Sequence, residues 1–181
     1  MFVTKITEFD KKRSLVYLDD ESAFVLYRGE LRQFHVCEGQ ELSRENYLLI
    51  TEEVLPKRAR LRTLNLLKKR SYTVEQMKRK LKEGGYPDSI IDGAIAYAAS
   101  YGYLDDFRYA LDYIGCQKDE RSRRRIEQDL QKKGISRMIL TQAWNEWEQT
   151  NGVQNEAEMI DSILQKRGFD PDCADNKERM K

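Results

Sequence analysis

The stretch Met77-x-x-x-Leu81-x-x-x-Gly85-Tyr86-x-x-x-Ile90-x-x-x-Ala94 decides the fold, because the chain carries it a second time as Ile126-x-x-x-Leu130-x-x-x-Gly134-Ile135-x-x-x-Ile139-x-x-x-Ala143. Each position recurs 49 residues on, and every pair is apolar or glycine. Self-similarity at a fixed period of this size marks tandem structural repeats. Such repeats present long, shallow surfaces suited to large partners rather than small substrates.

Around this core each repeat reads as three helices. In the first, helix one carries Leu61, Leu64 and Leu67 as its apolar face. Helix two opens at Thr73 with Gln76 three residues on, the capping-box spacing, buries Val74, Met77 and Leu81, and stops at Gly84-Gly85. Helix three starts near Pro87-Asp88, shows Ile90, Ile91, Ala94, Ile95 and Ala98, and stops at Gly102. In the second repeat Leu104-Asp105 opens helix one, with Phe107, Ala110, Leu111 and Ile114 inward. Helix two holds Ile126 and Leu130 and stops at Gly134, and Ser136 caps a third helix with Ile139, Leu140, Ala143, Trp144 and Trp147. Pro87 fills the slot of Ser136, so the first repeat's third helix has the weaker cap. Glu156–Arg167 reads as one further helix with Gly168 as its stop, and Lys177–Lys181 as the start of another, which suggests a third repeat cut short.

The first 30 residues read differently. Phe2–Phe9, Ser14–Leu18 and Ala23–Tyr27 are β-prone, separated by the turn clusters Asp10–Arg13 and Asp19–Ser22. A three-strand meander follows, and it needs a helix to pack on. Gly39-Gln40-Glu41 breaks the pattern. Ser43 caps a helix to about Leu55, and Pro56 either kinks that helix or opens the next. The expected fold class is therefore mostly α. Its divisions are a β-strand/helix extension (1–56), repeat one (57–104), repeat two (105–150) and an incomplete repeat three (151–181).

Of 181 residues, 35% are charged and 40% hydrophobic, with ten Tyr, six Phe and two Trp to bury. The net charge of +1 gives no global field toward nucleic acid. No apolar run approaches the roughly 18 residues that span a bilayer, and the N-terminus has no signal-peptide core. Cys37, Cys116 and Cys173 share no metal or redox spacing and read as reduced thiols of a cytoplasmic protein. The one histidine, His35, has no acidic or thiol partner at useful spacing and reads as structural. There is no phosphate loop and no zinc set. The expectation is a non-enzyme without cofactor or metal.

The basic runs are the candidate site. In repeat one, residues 57–70 hold seven cations and no acid. Arg60, Lys68, Lys69 and Arg70 are the candidates there, joined on helix two by Lys78, Arg79 and Lys82. In repeat two they are Arg121, Arg123, Arg124 and Arg125, with Lys132 and Lys133 beyond. If stacked repeats align these faces, the result is a positive stripe fit for a phosphate backbone or an acidic protein groove. Ordinary solubilising charge is the alternative for any single residue. Base reading by a helix-turn-helix is disfavoured. Residues 88–100 contain no Lys or Arg, and residues 136–148 contain only Arg137 beside Glu146 and Glu148.

The string Gly102-Tyr103-Leu104-Asp105-Asp106-Phe107-Arg108-Tyr109-Ala110, followed by Arg125-Ile126-x-x-x-Leu130-x-x-Lys133-Gly134-Ile135, resembles the RecX family of bacterial recombination regulators. The resemblance covers about residues 57–150. It implies tandem three-helix repeats in an elongated, curved array. It also implies a non-enzymatic protein that binds the RecA recombinase filament and modulates, usually inhibits, its ATPase and strand exchange. From the basic faces themselves, single- or double-stranded DNA is the further candidate partner, and no membrane is expected. The motif residues themselves are helix stops and starts, so they report architecture more than contact. A helical-repeat protein that binds DNA alone through phosphate contacts is the alternative.

Overall fold

The computed structural model describes residues 1–152 and, beyond them, Ala157, Ile160, Asp161, Leu164 and Gln165, each helical. These last positions fall in the helix expected over 156–167. The rest of the expected third repeat, including Lys177–Lys181, lies outside the described residues. The chain divides into two compact units, Met1–Asp105 and Asp106–Lys181.

The first unit opens with the meander β1 (Val3–Glu8), β2 (Arg13–Leu18) and β3 (Glu21–Tyr27), antiparallel with β2 in the centre. The β2–β3 turn is two residues long. Asp19 and Asp20 both take positive φ, at 49° and 70°, as a hairpin turn that matches strand twist requires. The exposed edge of β1 is covered by the segment that the sequence shows only as a break. Val3 N–H donates to the Gln40 carbonyl, and Gly39 N–H donates to the Val3 carbonyl, each at 2.9 Å. Covering an edge in this way removes a template for intermolecular pairing.

A short helix that sequence reading passed over, α1 (Arg28–Gln33), follows β3. Its C-terminal turn is closed by His35 at φ 53°, with Val36 N–H donating to the Leu31 carbonyl at 2.8 Å. The lone histidine is thus a chain-reversal residue in a position that glycine usually fills. Helix α2 (Arg44–Leu48) is capped by Ser43, whose hydroxyl accepts from Asn46 N–H. It runs through a π-helical stretch, Leu49–Val54, into α3 (Leu55–Leu67). Pro56 stands in the first turn of α3, the second of the two readings, and the chain's helical course continues through it. Its ring would crowd a carbonyl one α-turn back, and the wider π turn just before it makes the space. The sheet packs its Val16, Phe24 and Leu26 on Ile50 and Leu55 of this long segment.

Helices α4 (Val74–Lys82) and α5 (Asp88–Ser100) complete the unit around Ala59, Met77, Leu81, Ala94 and Ala98. The inward face of α3 is made of Leu55, Ala59 and Thr63, all buried, with Leu66 and Leu67 partly so. Leu61, expected in the core, is 54% exposed. Leu61 stands two residues from both Ala59 and Thr63, about 200° round the helix, so it faces away from that stripe, and a short Ala59 lets α5 approach closely.

The second unit repeats the trio as α6 (Asp106–Gln117), α7 (Arg123–Lys132) and α8 (Arg137–Asn151) around Ala110, Ile114, Ile126, Leu130, Ala143 and Trp144. The repeated motif has one structure in both copies. Met77 and Ile126, Leu81 and Leu130, and Ala94 and Ala143 are all buried. Gly85 and Gly134 take φ 79° and 93°. The next amide reaches back over the helix end in each, Tyr86 N–H to the Leu81 carbonyl at 3.4 Å and Ile135 N–H to the Leu130 carbonyl at 3.1 Å. This glycine cap satisfies carbonyls that the helix cannot satisfy itself. At Gly85 there is also no room, since a Cβ would run into the Val25 side chain. The Ser136 hydroxyl accepts from Ile139 N–H, whereas Pro87 offers α5 no side-chain cap.

Candidate partner and nucleic-acid interface

The cations of α3 divide by what they touch. Arg58 is not a surface charge. Its guanidinium bonds Glu30 of α1 at 2.8 Å and the Val25 carbonyl of β3, and lies over the rings of Tyr27 and Tyr86. It ties the sheet to the repeat. Arg60, two residues on and so on the opposite side of the helix, is exposed and rests on the Tyr97 ring at 5.0 Å. Lys68, Lys69 and Arg70 follow the last residue of α3, where unpaired carbonyls favour positive charge. All three are exposed, and Arg70 lies 4.4 Å over the Tyr72 ring. Among the described residues none of Arg60, Lys68, Lys69 and Arg70 has a carboxylate partner.

On α4 the acids of α5 answer the cations. Lys78 pairs with Asp92 at 2.9 Å, and Lys82 with Asp88 at 3.3 Å. The bond to Asp92 raises the Lys78 ammonium above the ordinary lysine range. Lys80 bonds Glu83 at 2.7 Å and lowers that carboxyl. Arg79 alone of the three α4 candidates is exposed without an ion pair among the described residues. The lack of Lys and Arg on α5, which argues against base reading, has this structural counterpart.

In the second unit Arg123 bridges Glu127 at 2.9 Å and Glu148 at 2.8 Å, and covers the Trp144 ring at 4.8 Å. It therefore fastens α7 to α8. Arg121 and Arg125 both reach Asp129, at 2.6 and 3.7 Å. Lys133 lies over the Tyr113 ring at 5.5 Å. Arg124 and Lys132 are exposed and make no ion pair among the described residues. Each unit thus keeps a smaller set of available cations than its sequence displays.

Sequence reading passed over the tyrosines at the end of α5. Tyr97 and Tyr101 have ring centroids 5.0 Å apart, and Tyr101 and Tyr103 stack at 6.0 Å with planes within 15°. The signal was present, since residues four apart share a helix face. Among the described residues no group of three His, Cys, Asp or Glu side chains could hold a metal ion, and no helix is long and apolar enough to cross a membrane.

Comparison with known proteins fits this architecture. The family model described as RecX, first three-helix domain, matches residues 59–97, which span α3 to α5. The chain is 28% identical over 169 residues to the regulatory protein RecX of Caldanaerobacter subterraneus subsp. tengcongensis, covering 92% of this chain and 84% of that one. It is 29% identical over 168 residues to that of Clostridium acetobutylicum, covering 91% and 77%. A crystal structure of regulatory protein RecX superposes with a TM-score of 0.57 at 23% identity, over 98% of this chain and 89% of that one, and so shares its fold.

Proposed function

The chain belongs to the RecX family, and on that premise we propose that it is a non-enzymatic regulator that binds the RecA recombinase filament. In this reading it works in the cytoplasm, in DNA repair and recombination, and lowers the filament's ATP hydrolysis and strand exchange. The observation that carries the reading is the division of the cations. The relatives are named regulatory proteins, and this chain presents unpaired cations on a fold whose third helices are acidic or neutral. Arg60, Lys68, Lys69, Arg70, Arg79, Arg124 and Lys132 are open to a large anionic partner. Backbone phosphates or carboxylates of a filament suit them, since they impose no base code.

The test is the DNA-dependent ATPase of recombinase titrated with this protein. Wild-type protein is expected to suppress turnover. An Arg124→Glu/Lys132→Glu variant, whose cations hold no ion pair in the fold, is expected to suppress it less while melting as wild type does. Full suppression by that variant removes the second unit's cations from the mechanism. No effect of wild-type protein on turnover or strand exchange removes the recombinase reading itself. DNA binding alone, the second reading, predicts tight association with DNA without recombinase that weakens steeply with salt.

A further inference from the structure

The tyrosine stack at the end of α5 is unusual in where it sits. Ring pairs normally lie in cores, where they exclude water. Here Tyr101 is 61% exposed and Tyr103 57% exposed. The backbone holds them in place. Gly102 takes φ 69° and turns the chain, and Tyr103 N–H donates back to the Ala98 carbonyl at 2.9 Å. That turn returns Tyr103 beside Tyr101 and sends Leu104 into the core. Tyr97 continues the row inward, and the Arg60 guanidinium closes it. The result is a row of cation, ring, ring, ring along one side of the first unit.

The surroundings leave this row open. The exposed positions of α5 are Gly93, Ala96, Ala99 and Ser100 beside Asp88, Ser89 and Asp92, so the later turns carry only small side chains. Leu61, the exposed aliphatic residue of α3, does not join the row. It lines a separate groove of about 310 Å³ with Tyr27 and Tyr86. Tyrosine and arginine also anchor protein interfaces; here they stand in one row that offers only π-faces and a cation. Planar bases with a phosphate between them are the complementary chemistry. Arg60 is unpaired among the described residues, so it can take a phosphate without breaking an ion pair.

We infer that Tyr101 and Tyr103, with Arg60, form a stacking platform for unpaired bases of single-stranded nucleic acid. The platform binds any sequence, because every base has a π-face. It differs from the exposed cations of α4 and α7, Arg79, Arg124 and Lys132, which offer charge alone. Binding here is a property of the protein without recombinase, so its failure leaves the recombinase reading untouched.

The experiment is fluorescence anisotropy of a labelled oligo-dT strand, titrated with the full chain, beside an abasic strand of equal length and charge. The intact protein is expected to prefer oligo-dT to the abasic strand. Tyr101→Ala/Tyr103→Ala is expected to lose about fivefold or more in oligo-dT affinity per ring, and to bind the abasic strand as before. Tyr101→Phe/Tyr103→Phe keeps the rings and is expected to retain binding. Arg60→Gln is expected to lower the salt dependence by about one ion. Tyr101→Ala alone guards against a folding defect in the double variant, because that side chain is mostly solvated. Equal binding of both strands by wild type overturns the inference, as does unchanged oligo-dT affinity in Tyr101→Ala. Loss of self-association or of recombinase binding with oligo-dT affinity intact overturns it too, and assigns the row to a protein contact.

Discussion

Arg58→Ala should destabilise the first unit by about 3 kcal/mol, far more than Arg60→Ala two residues away. The guanidinium makes a charge-assisted bond to Glu30 and another hydrogen bond to the Val25 carbonyl. Both bonds come from a charged donor, and such bonds contribute roughly 1.5–3 kcal/mol each. The faces of Tyr27 and Tyr86 add about 0.5–1 kcal/mol each. These contributions overlap, so their full sum is an upper bound. Truncation also strands Glu30, whose side chain is 20% exposed beside an arginine at 18%. Removing one member of a fully buried pair costs about 3–5 kcal/mol, and the partial exposure here brings the figure to the low end. Glu30 keeps one bond, accepting from Tyr27 N–H at 2.7 Å. An Arg58→Lys variant cannot serve all these partners at once and should recover less than half of the loss. Native-state hydrogen exchange in urea, read on peptides from β2 and β3, measures the effect locally. A loss under about 1 kcal/mol, within the range of a surface ion pair, would refute the tie between sheet and helix.

Other outcomes follow from the same contacts. Arg123→Ala should lower the second unit's stability by about 1–2 kcal/mol, since two ion pairs of a partly exposed arginine and its contact with Trp144 are lost; Arg124→Ala should stay within about 0.5 kcal/mol. Urea unfolding by tryptophan fluorescence reads this directly, because both tryptophans, Trp144 and Trp147, lie in α8. His35→Gly should raise the first unit's stability by about 1 kcal/mol, because it relieves a left-handed backbone at φ 53°; an unchanged or lower stability would mean that the imidazole itself makes a needed contact. The Asp10 carboxyl is held below its ordinary range, first by the Lys12 amide and then by the Arg13 side chain. A depressed folded value stabilises at pH above the ordinary carboxyl range and is lost as pH falls through the depressed one. Asp10→Asn should therefore be less stable than wild type at neutral pH, with the gap closing in acid; a gap that stays constant in thermal melts down the acid limb would reject that assignment.

Much of the fold was legible because the determinants are local. Thr73 and Gln76 exchange both bonds of their capping box, at 3.2 and 3.3 Å, as their spacing requires. The strand limits fall where turn residues interrupt β-prone runs. What escaped was short or phase-dependent. Helix α1 is six residues with no buried side chain, too brief to carry a periodicity. The inward face of α3 was missed because Ala59 and Thr63, a small and a polar residue, occupy it, while the more conspicuous Leu61 lies on the far side. Within the candidate site, charge was visible and its availability was not. Arg58 and Arg60 look alike in the chain, yet one is spent inside the fold and the other rests on an exposed ring.

Two repeated trios, their glycine stops and an N-terminal meander were written in the sequence, because helix caps, turns and apolar spacing act within a few residues of one another. Which cations remain free was decided only by tertiary structure. A carboxylate that neutralises an arginine, such as Glu148 for Arg123 or Glu30 for Arg58, stands 25 or 28 residues away, and no local pattern reports a meeting that packing alone brings about. The same holds for the arginine–tyrosine row, where α3 supplies the cation and the end of α5 supplies the rings.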